Sequence, residues 1–228
     1  MEFNDLNNVG LRNMIIYIGL CIGYIIMVYY IGGELSQYQF FIFFSVTFIT
    51  QLALNYSTDA VICKEPNGFN TFLNTLLPWV FILALGQLFI TIFPGWLRIF
   101  SNTIGMYIAY EKYEEDINKI LVSSTSALQG STNEDKALLL EALNKPKMIL
   151  NEIDIIGKTD EEINKLYERL TGMFKELFKS DNETKNHILE IIKHKNMIGY
   201  TLWHVLLGVI AVMVSTNSTI ASNCGFNS

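Results

Sequence analysis

Phe93-Pro94-Gly95-Trp96-Leu97-Arg98-Ile99-Phe100-Ser101-Asn102-Thr103 separates two kinds of sequence in this chain of 228 residues. Before it the residues are apolar and almost uncharged. After it, to about Asn196, they are charged and amphipathic. The 16 basic and 22 acidic residues are placed very unevenly: 30 of these 38 lie between Tyr110 and Lys195. The stretch itself is built as an elbow. Pro94 and Gly95 interrupt an apolar helix. Trp96 is a residue type that settles at a headgroup boundary, and Arg98 can snorkel there. Ser101 or Asn102 can cap a following helix. The expectation for 96–105 is therefore an interfacial segment, with a helix leaving the membrane from Met106. The competing reading makes Trp96–Tyr110 a further crossing. That segment is short for a bilayer and is interrupted by Arg98, Ser101 and Asn102.

Upstream, residues 1–13 are polar and residues 14–95 hold three apolar segments. The N-terminus carries Glu2, Asp5 and Arg12 rather than a basic leader, so the first segment is expected to stay as an anchor. Met14–Gly33 has no charge and reads as a transmembrane helix, with Gly19 and Gly23 on one face for close helix approach. Tyr38–Tyr56 is the second span. Its Gln51 and Asn55 share a face that should turn toward other helices, because polar groups in hydrocarbon need partners. Ser57–Asn70 reads as a polar loop with a Pro66-Asn67-Gly68 turn. Phe72–Phe93 is the third span, with Pro78 expected in its first turns and Gln87 as its main buried polar group.

Downstream, 106–196 reads as a helical soluble domain. Met106–Ser123 begins apolar and ends charged. Asn133–Asn144 is a short amphipathic helix ended by Lys145-Pro146. Met148–Ile156 reads as loop or helix. Thr159–Lys179 is the strongest helix, with a Thr159/Glu162 capping pattern and apolar residues at 3–4 spacing. Its aromatic face, Tyr167, Phe174 and Phe178, either closes the small domain or binds a partner. Ser180 and Glu183 start the helix that enters the membrane. Residues 197–215 form the fourth span, and 216–228 are a polar tail. The fold class is all-α: a polytopic membrane protein with about four transmembrane helices and an inserted helical soluble domain.

Near the membrane ends, Arg98, Lys112, Lys185, Lys193 and Lys195 lie on the domain side, against Arg12 and Lys64 opposite. Positive-inside then puts the domain in the cytosol. Cys63 and Cys224 share the other, non-cytosolic side and are a candidate disulfide, whereas Cys21 sits within a span as a packing residue. The formal net charge of −6 and the scattered lysines exclude a nucleic-acid surface.

Residues capable of chemistry are sparse. His187, Glu190 and His194 share a helical face, but no second cluster completes a metal shell, and a solvated face is the simpler reading. His204 lies in the last span, where a structural hydrogen bond is favoured over a proton relay. There is no phosphate loop, no nucleophile context and no Cys-x-x-Cys. No cofactor is implied, and an enzyme is disfavoured.

Phe93-Pro94-Gly95-Trp96, followed by Phe100-Ser101-Asn102-Thr103 and Gly105, resembles a segment of uncharacterised membrane proteins of the nucleocytoplasmic large DNA viruses. In those the run reads Phe-Pro-Gly-Trp, then Pro-Phe-Ser-Asn-Thr-Phe-Gly; here Ile99 and Ile104 replace Pro and Phe. The resemblance covers about 13 residues and implies no catalytic residue. It implies a structural protein of the virion inner membrane, beneath the capsid and in contact with capsid proteins. The expected partners are the lipid bilayer, capsid or other virion membrane proteins, and a second copy of the chain, and the expected location is the virion inner membrane or host endomembrane. Two other classes stay open. A fusion or entry-complex component would place the domain outside and bond Cys63 to Cys224. A small channel or transporter would line a path with Gln51, Asn55, Gln87 and His204.

Overall fold

The structure is a computed structural model that describes residues 3–31, 37–63, 66–120, 146–153, 160–173 and 182–223. Every element among them is helical: α1 Phe3–Ile31, α2 Gln37–Ile62, α3 Gly68–Ile92, α4 Gly95–Phe100, a π-helical segment Ser101–Gly105, α5 Met106–Lys112, α6 Glu114–Ile120, α7 Pro146–Glu152, α8 Asp160–Met173 and α9 Asn182–Asn223. They form two compact units, Met1–Phe93 with Thr201–Ser228, and Pro94–Tyr200. Four helices (α1, α2, α3 and α9) are long and apolar enough to cross a membrane, so this is an integral membrane protein. At 1.5 Å per residue α9 is about twice the hydrocarbon thickness. Its charged first part, through Lys195, lies before the apolar run that starts at Met197.

The first unit is turned inside out relative to a water-soluble bundle. Ile15, Ile22, Phe41, Ile49, Phe81 and Leu85 are exposed, while Asn13, Gln51, Asn55, Thr75, Ser215 and Thr216 are buried. That partition suits a lipid solvent, where apolar residues meet acyl chains and polar ones must find each other. The polar residues form one clasp across all four helices. Asn55 Oδ1 accepts from Gln51 Nε2 at 2.9 Å, Thr216 Oγ1 at 3.2 Å and Asn13 Nδ2 at 3.5 Å. Asn55 Nδ2 donates to Thr75 Oγ1 at 2.9 Å. Thr216 Oγ1 in turn accepts from Asn13 at 3.1 Å and Gln51 at 3.0 Å. Asn55→Leu is therefore expected to destabilise the bundle by about 1–2 kcal/mol, the upper range for a hydrogen-bonded side chain between membrane helices. Reversible unfolding in mixed micelles measures this, and an unchanged midpoint would mean the clasp holds nothing.

Beside the clasp, Trp79 is buried among rings, with Tyr17, Phe44 and Phe48 edge-on to it at 5.5–6.1 Å between centroids. Gly208 leaves room for the Tyr17 hydroxyl, which a Cβ there would strike. Among the described residues nothing lies against Gly19 and Gly23, so their face is not used for packing between the described helices.

Several elements differ from the sequence reading. The polar N-terminal residues join α1 from Phe3. Much of the Ser57–Asn70 stretch is helix and not loop, because α2 runs on to Ile62 and α3 starts at Gly68. Asp59 makes that tight turn affordable. Its Oδ2 accepts from Asn67 N at 3.0 Å and Thr71 Oγ1 at 2.6 Å, and Asn67 Oδ1 caps α3 by accepting from Asn70 N at 3.1 Å. Pro78 sits well inside α3, not in its first turn, a position that packed membrane helices tolerate. Gln87 is exposed, not buried. The tail stays helical to Asn223. Cys63 is disulfide-bonded and Cys21 is a free, buried thiol; Cys224 lies outside the described residues.

The second unit has its own core. Met106, Ala109, Tyr113 and Ile117 recur at 3–4 spacing and pack with Ile149, Leu150, Ile153, Tyr167, Ile188, Ile191 and Ile192. Met148–Ile156 resolves as helix from Pro146 to Glu152. Pro146 opens this helix, since proline at a first helical position gives up an amide that has no partner there. Thr159, Ser180 and the 133–144 helix lie outside the described residues.

Candidate functional site

The motif stretch starts from the end of α3, where Phe93 N donates to Phe89 O at 2.8 Å. Pro94 cannot donate to continue the ladder, and Leu97 N instead reaches Pro94 O at 3.1 Å. Helix resumes at once from Gly95, so the interruption expected at Pro94-Gly95 is present. The cap expected at Ser101 or Asn102 is absent. Both lie inside a helical run, and Ser101 Oγ donates back to Leu97 O at 3.0 Å.

From Ser101 to Gly105 the winding is π, a form concentrated at functional positions. It has a visible consequence. Met106 N donates to Thr103 O, and Asn102 O instead accepts from Asn151 Nδ2 of α7 at 3.1 Å. The Asn102 side chain turns to α9, where its Oδ1 accepts from Lys195 Nζ at 3.0 Å. Lys195 is 1% exposed. Its ammonium also donates to Asn151 Oδ1 at 3.3 Å and to Leu150 O and Ile153 O, each at 3.4 Å. Those carbonyls belong to the C-terminal end of α7, the negative end of its dipole. A buried cation thus joins the motif, α7 and α9.

Two glycines let the helices meet. A Cβ on Gly105 would lie 2.5 Å from Lys195 O and 3.2 Å from Phe100 O. A Cβ on Gly199 would lie 2.8 Å from Ser101 N and 2.9 Å from Ser101 Cα. Of the rest of the elbow, Trp96 is 49% exposed and Leu97 is buried, and Arg98 is exposed.

The other singled-out residues scatter. Tyr167 is in the core with Lys185 Nζ 5.5 Å from its ring centroid; Phe174 and Phe178 lie outside the described residues. The His187/Glu190/His194 face is not uniformly solvated. His187 pairs with Glu183 at 3.9 Å, Glu190 Oε1 accepts from Tyr113 OH at 3.1 Å, and His194 is fully buried edge-on to the Tyr113 ring at 5.5 Å. Among the described residues no three His, Cys, Asp or Glu side chains could share a metal. Sequence reasoning missed Lys195, Asn151 and Gly199. A lysine two residues before an apolar run reads as a surface anchor, and nothing local marks it as buried.

Burial, reinforced by the Glu190 carboxylate, raises the Tyr113 phenol above its ordinary value, while burial lowers the Lys112 ammonium against the opposing pull of Glu190. For the phenol, a raised folded value means stability that is present below the unfolded value near 10 and is lost as pH rises beyond it. Alkaline unfolding of Tyr113→Phe should therefore be less steep above about pH 10 than that of the unaltered protein. Equal slopes in pH-dependent denaturation would show that Tyr113 does not carry the effect.

Among known proteins, no family model, no curated protein and no solved structure matches this chain.

Proposed function

We propose that this chain is a non-enzymatic structural membrane protein of a large DNA virus, anchoring the inner virion membrane to capsid or core proteins. One observation carries the reading: the residues behind the family resemblance are spent on architecture. Ser101 receives Gly199, Asn102 holds Lys195, and Gly105 admits the α9 backbone. Packing of this kind suits a rigid support beside a membrane span. In this reading the second unit faces the cytosol or the capsid, and the membrane is that of the virion or of host endomembrane.

Purified virions test it. The protein should co-purify with them, and the 94–200 unit should become protease-sensitive only once the capsid shell is opened. Absence from virions overturns the reading. A fusion or entry component is the second reading, and it calls for a disulfide at Cys63. That bond does not choose between the two readings, because one span, α3, separates Cys63 from the second unit, and an oxidising compartment at Cys63 leaves that unit on the other side. The fusion reading requires the second unit on the virion exterior, open to protease in intact particles. The channel reading is less favoured, because Gln51 and Asn55 are bonded to each other and to Thr216, and Gln87 is exposed while His204 is buried.

A further inference from the structure

The run from Gly95 to Lys112 is partitioned the wrong way for a helix in water. Its inward face is built on small residues, with Ser101, Gly105 and Ala109 recurring every four residues and Leu97 and Met106 beside them, all buried. Its outward face is large and apolar. Trp96 is 49% exposed, Ile99 55%, Ile104 49% and Tyr107 61%. The face does not end with this run. From α7, Met148 is 61% exposed, and Lys147 Nζ lies 4.2 Å from the Tyr110 ring centroid and 5.2 Å from that of Tyr107. Charge on the run is ordered too. Arg98 is its only charged residue before Glu111, and Glu111, one turn beyond Tyr107, is exposed and closes the apolar face.

We propose that Trp96, Ile99, Ile104, Tyr107 and Met148, with Arg98 and Lys147 beside them, form one surface that seats in the headgroup boundary of an anionic bilayer. Three features select lipid as the occupant. Gly95 follows closely on Ile92, the last residue of a helix long and apolar enough to cross a membrane. Trp and Tyr are the side chains that prefer the boundary, with an apolar body and a polar tip. The two cations fit lipid phosphate and carboxylate, and a lysine near an anionic surface is attracted to it. The inference needs the chain to be a membrane protein and does not depend on the viral reading.

The test uses full-length protein in phosphatidylcholine vesicles, with and without phosphatidylserine, and the tryptophan emission that differs between it and Trp96→Phe. Trp96 emission should be quenched by lipid brominated near the headgroup and spared by aqueous iodide. Phosphatidylserine should deepen the lipid quenching, and Lys147→Gln should abolish that gain. A second reporter, Trp96→Phe with Tyr107→Trp, should behave like Trp96 and guards against a misfolded variant. Quenching by iodide but not by brominated lipid overturns the proposal, because the face is then in water. Protection from both quenchers overturns it as well, because a protein then covers the face. Lipid quenching indifferent to phosphatidylserine and to Lys147→Gln overturns the anionic preference.

Discussion

Gly105→Ala unfolds the 94–200 unit at a markedly lower temperature than the unaltered protein, and no truncation of a neighbouring side chain restores it. The reason is the identity of the atoms a Cβ would meet. They are Lys195 O at 2.5 Å and Phe100 O at 3.2 Å, both main chain. A clash with the tip of a side chain relaxes by rotation; the clash with Lys195 O, a backbone carbonyl of α9, relaxes only if the two helices part, and the Phe100 carbonyl of the same helical run closes the other side. Overpacking of a tight interior typically costs 1–3 kcal/mol, and this site should lie at or above the top of that range. Parting the helices also stretches the Asn102–Lys195 hydrogen bond, so the two losses are coupled and should not add. Gly86→Ala is the matched contrast, because the three atoms nearest its Cβ all belong to the Leu207 side chain, and Leu207→Ala should recover most of the loss. Thermal unfolding of Gly105→Ala, of Gly86→Ala and of Gly86→Ala combined with Leu207→Ala in detergent decides it. A Gly105→Ala protein as stable as the original would mean that the backbone contact at Lys195 is not made.

The same contrast explains what the sequence could and could not tell. Four spans were legible because a bilayer imposes length and apolarity on each segment separately, so Ile-rich runs announce themselves without knowledge of a partner. The Asn67 turn was legible for a similar reason: its chemistry is local. Gln51 and Asn55 could be read as seeking partners, since lipid offers none. Gln87, on the same argument, should have been buried, yet it is exposed; the rule names a need and not the direction in which it is met. Pro146 was ambiguous in principle, because proline stops the preceding helix and starts the next one equally well. His194 looked like part of a wet face because its helix is charged there, but Tyr113, distant in sequence, covers it.

Lys195 is the sharpest case, because its place just before the last apolar run puts it among the basic residues near the membrane ends on the domain side. It is buried among amide oxygens instead. Without it the excess of basic residues on that side falls from five against two to four against two, so the positive-inside argument keeps its sign on a smaller margin. The partner that buries it, Asn102, is 93 residues away. No window of sequence around Lys195 contains that information, and neither does the motif around Asn102 alone. The π winding is equally non-local: Ser101–Gly105 has no proline or glycine pair to cause it, and its visible role is to present Asn102 to two other helices.

Lys195→Met should be the most damaging exchange that leaves the backbone untouched. Two effects oppose each other. Removing an ammonium from a buried site relieves its desolvation, and where a whole buried ionic group is replaced by apolar side chains the result is often neutral or stabilising. Here only one member is removed. Asn102 Oδ1, Asn151 Oδ1, Leu150 O and Ile153 O all stay behind and lose a donor. Each hydrogen bond to a charged group contributes roughly 1.5–3 kcal/mol, and the four share one ammonium and do not add. Loss of the donor should therefore outweigh relief of desolvation, with a net cost of about 3 kcal/mol or more. Asn102→Ala removes one acceptor and leaves the cation three, so it should cost less. Lys195→Arg should not rescue, because a planar fork does not fit a cage shaped for a compact ammonium. Hydrogen exchange separates this account from a general loss of stability. In Lys195→Met the amides of α7 should exchange faster even at a temperature where α9 stays protected, since the cation holds the C-terminal end of that short helix. A Lys195→Met protein as stable as the original, with α7 equally protected, would mean that desolvation had won and that the motif is held to α9 by its glycine contacts alone.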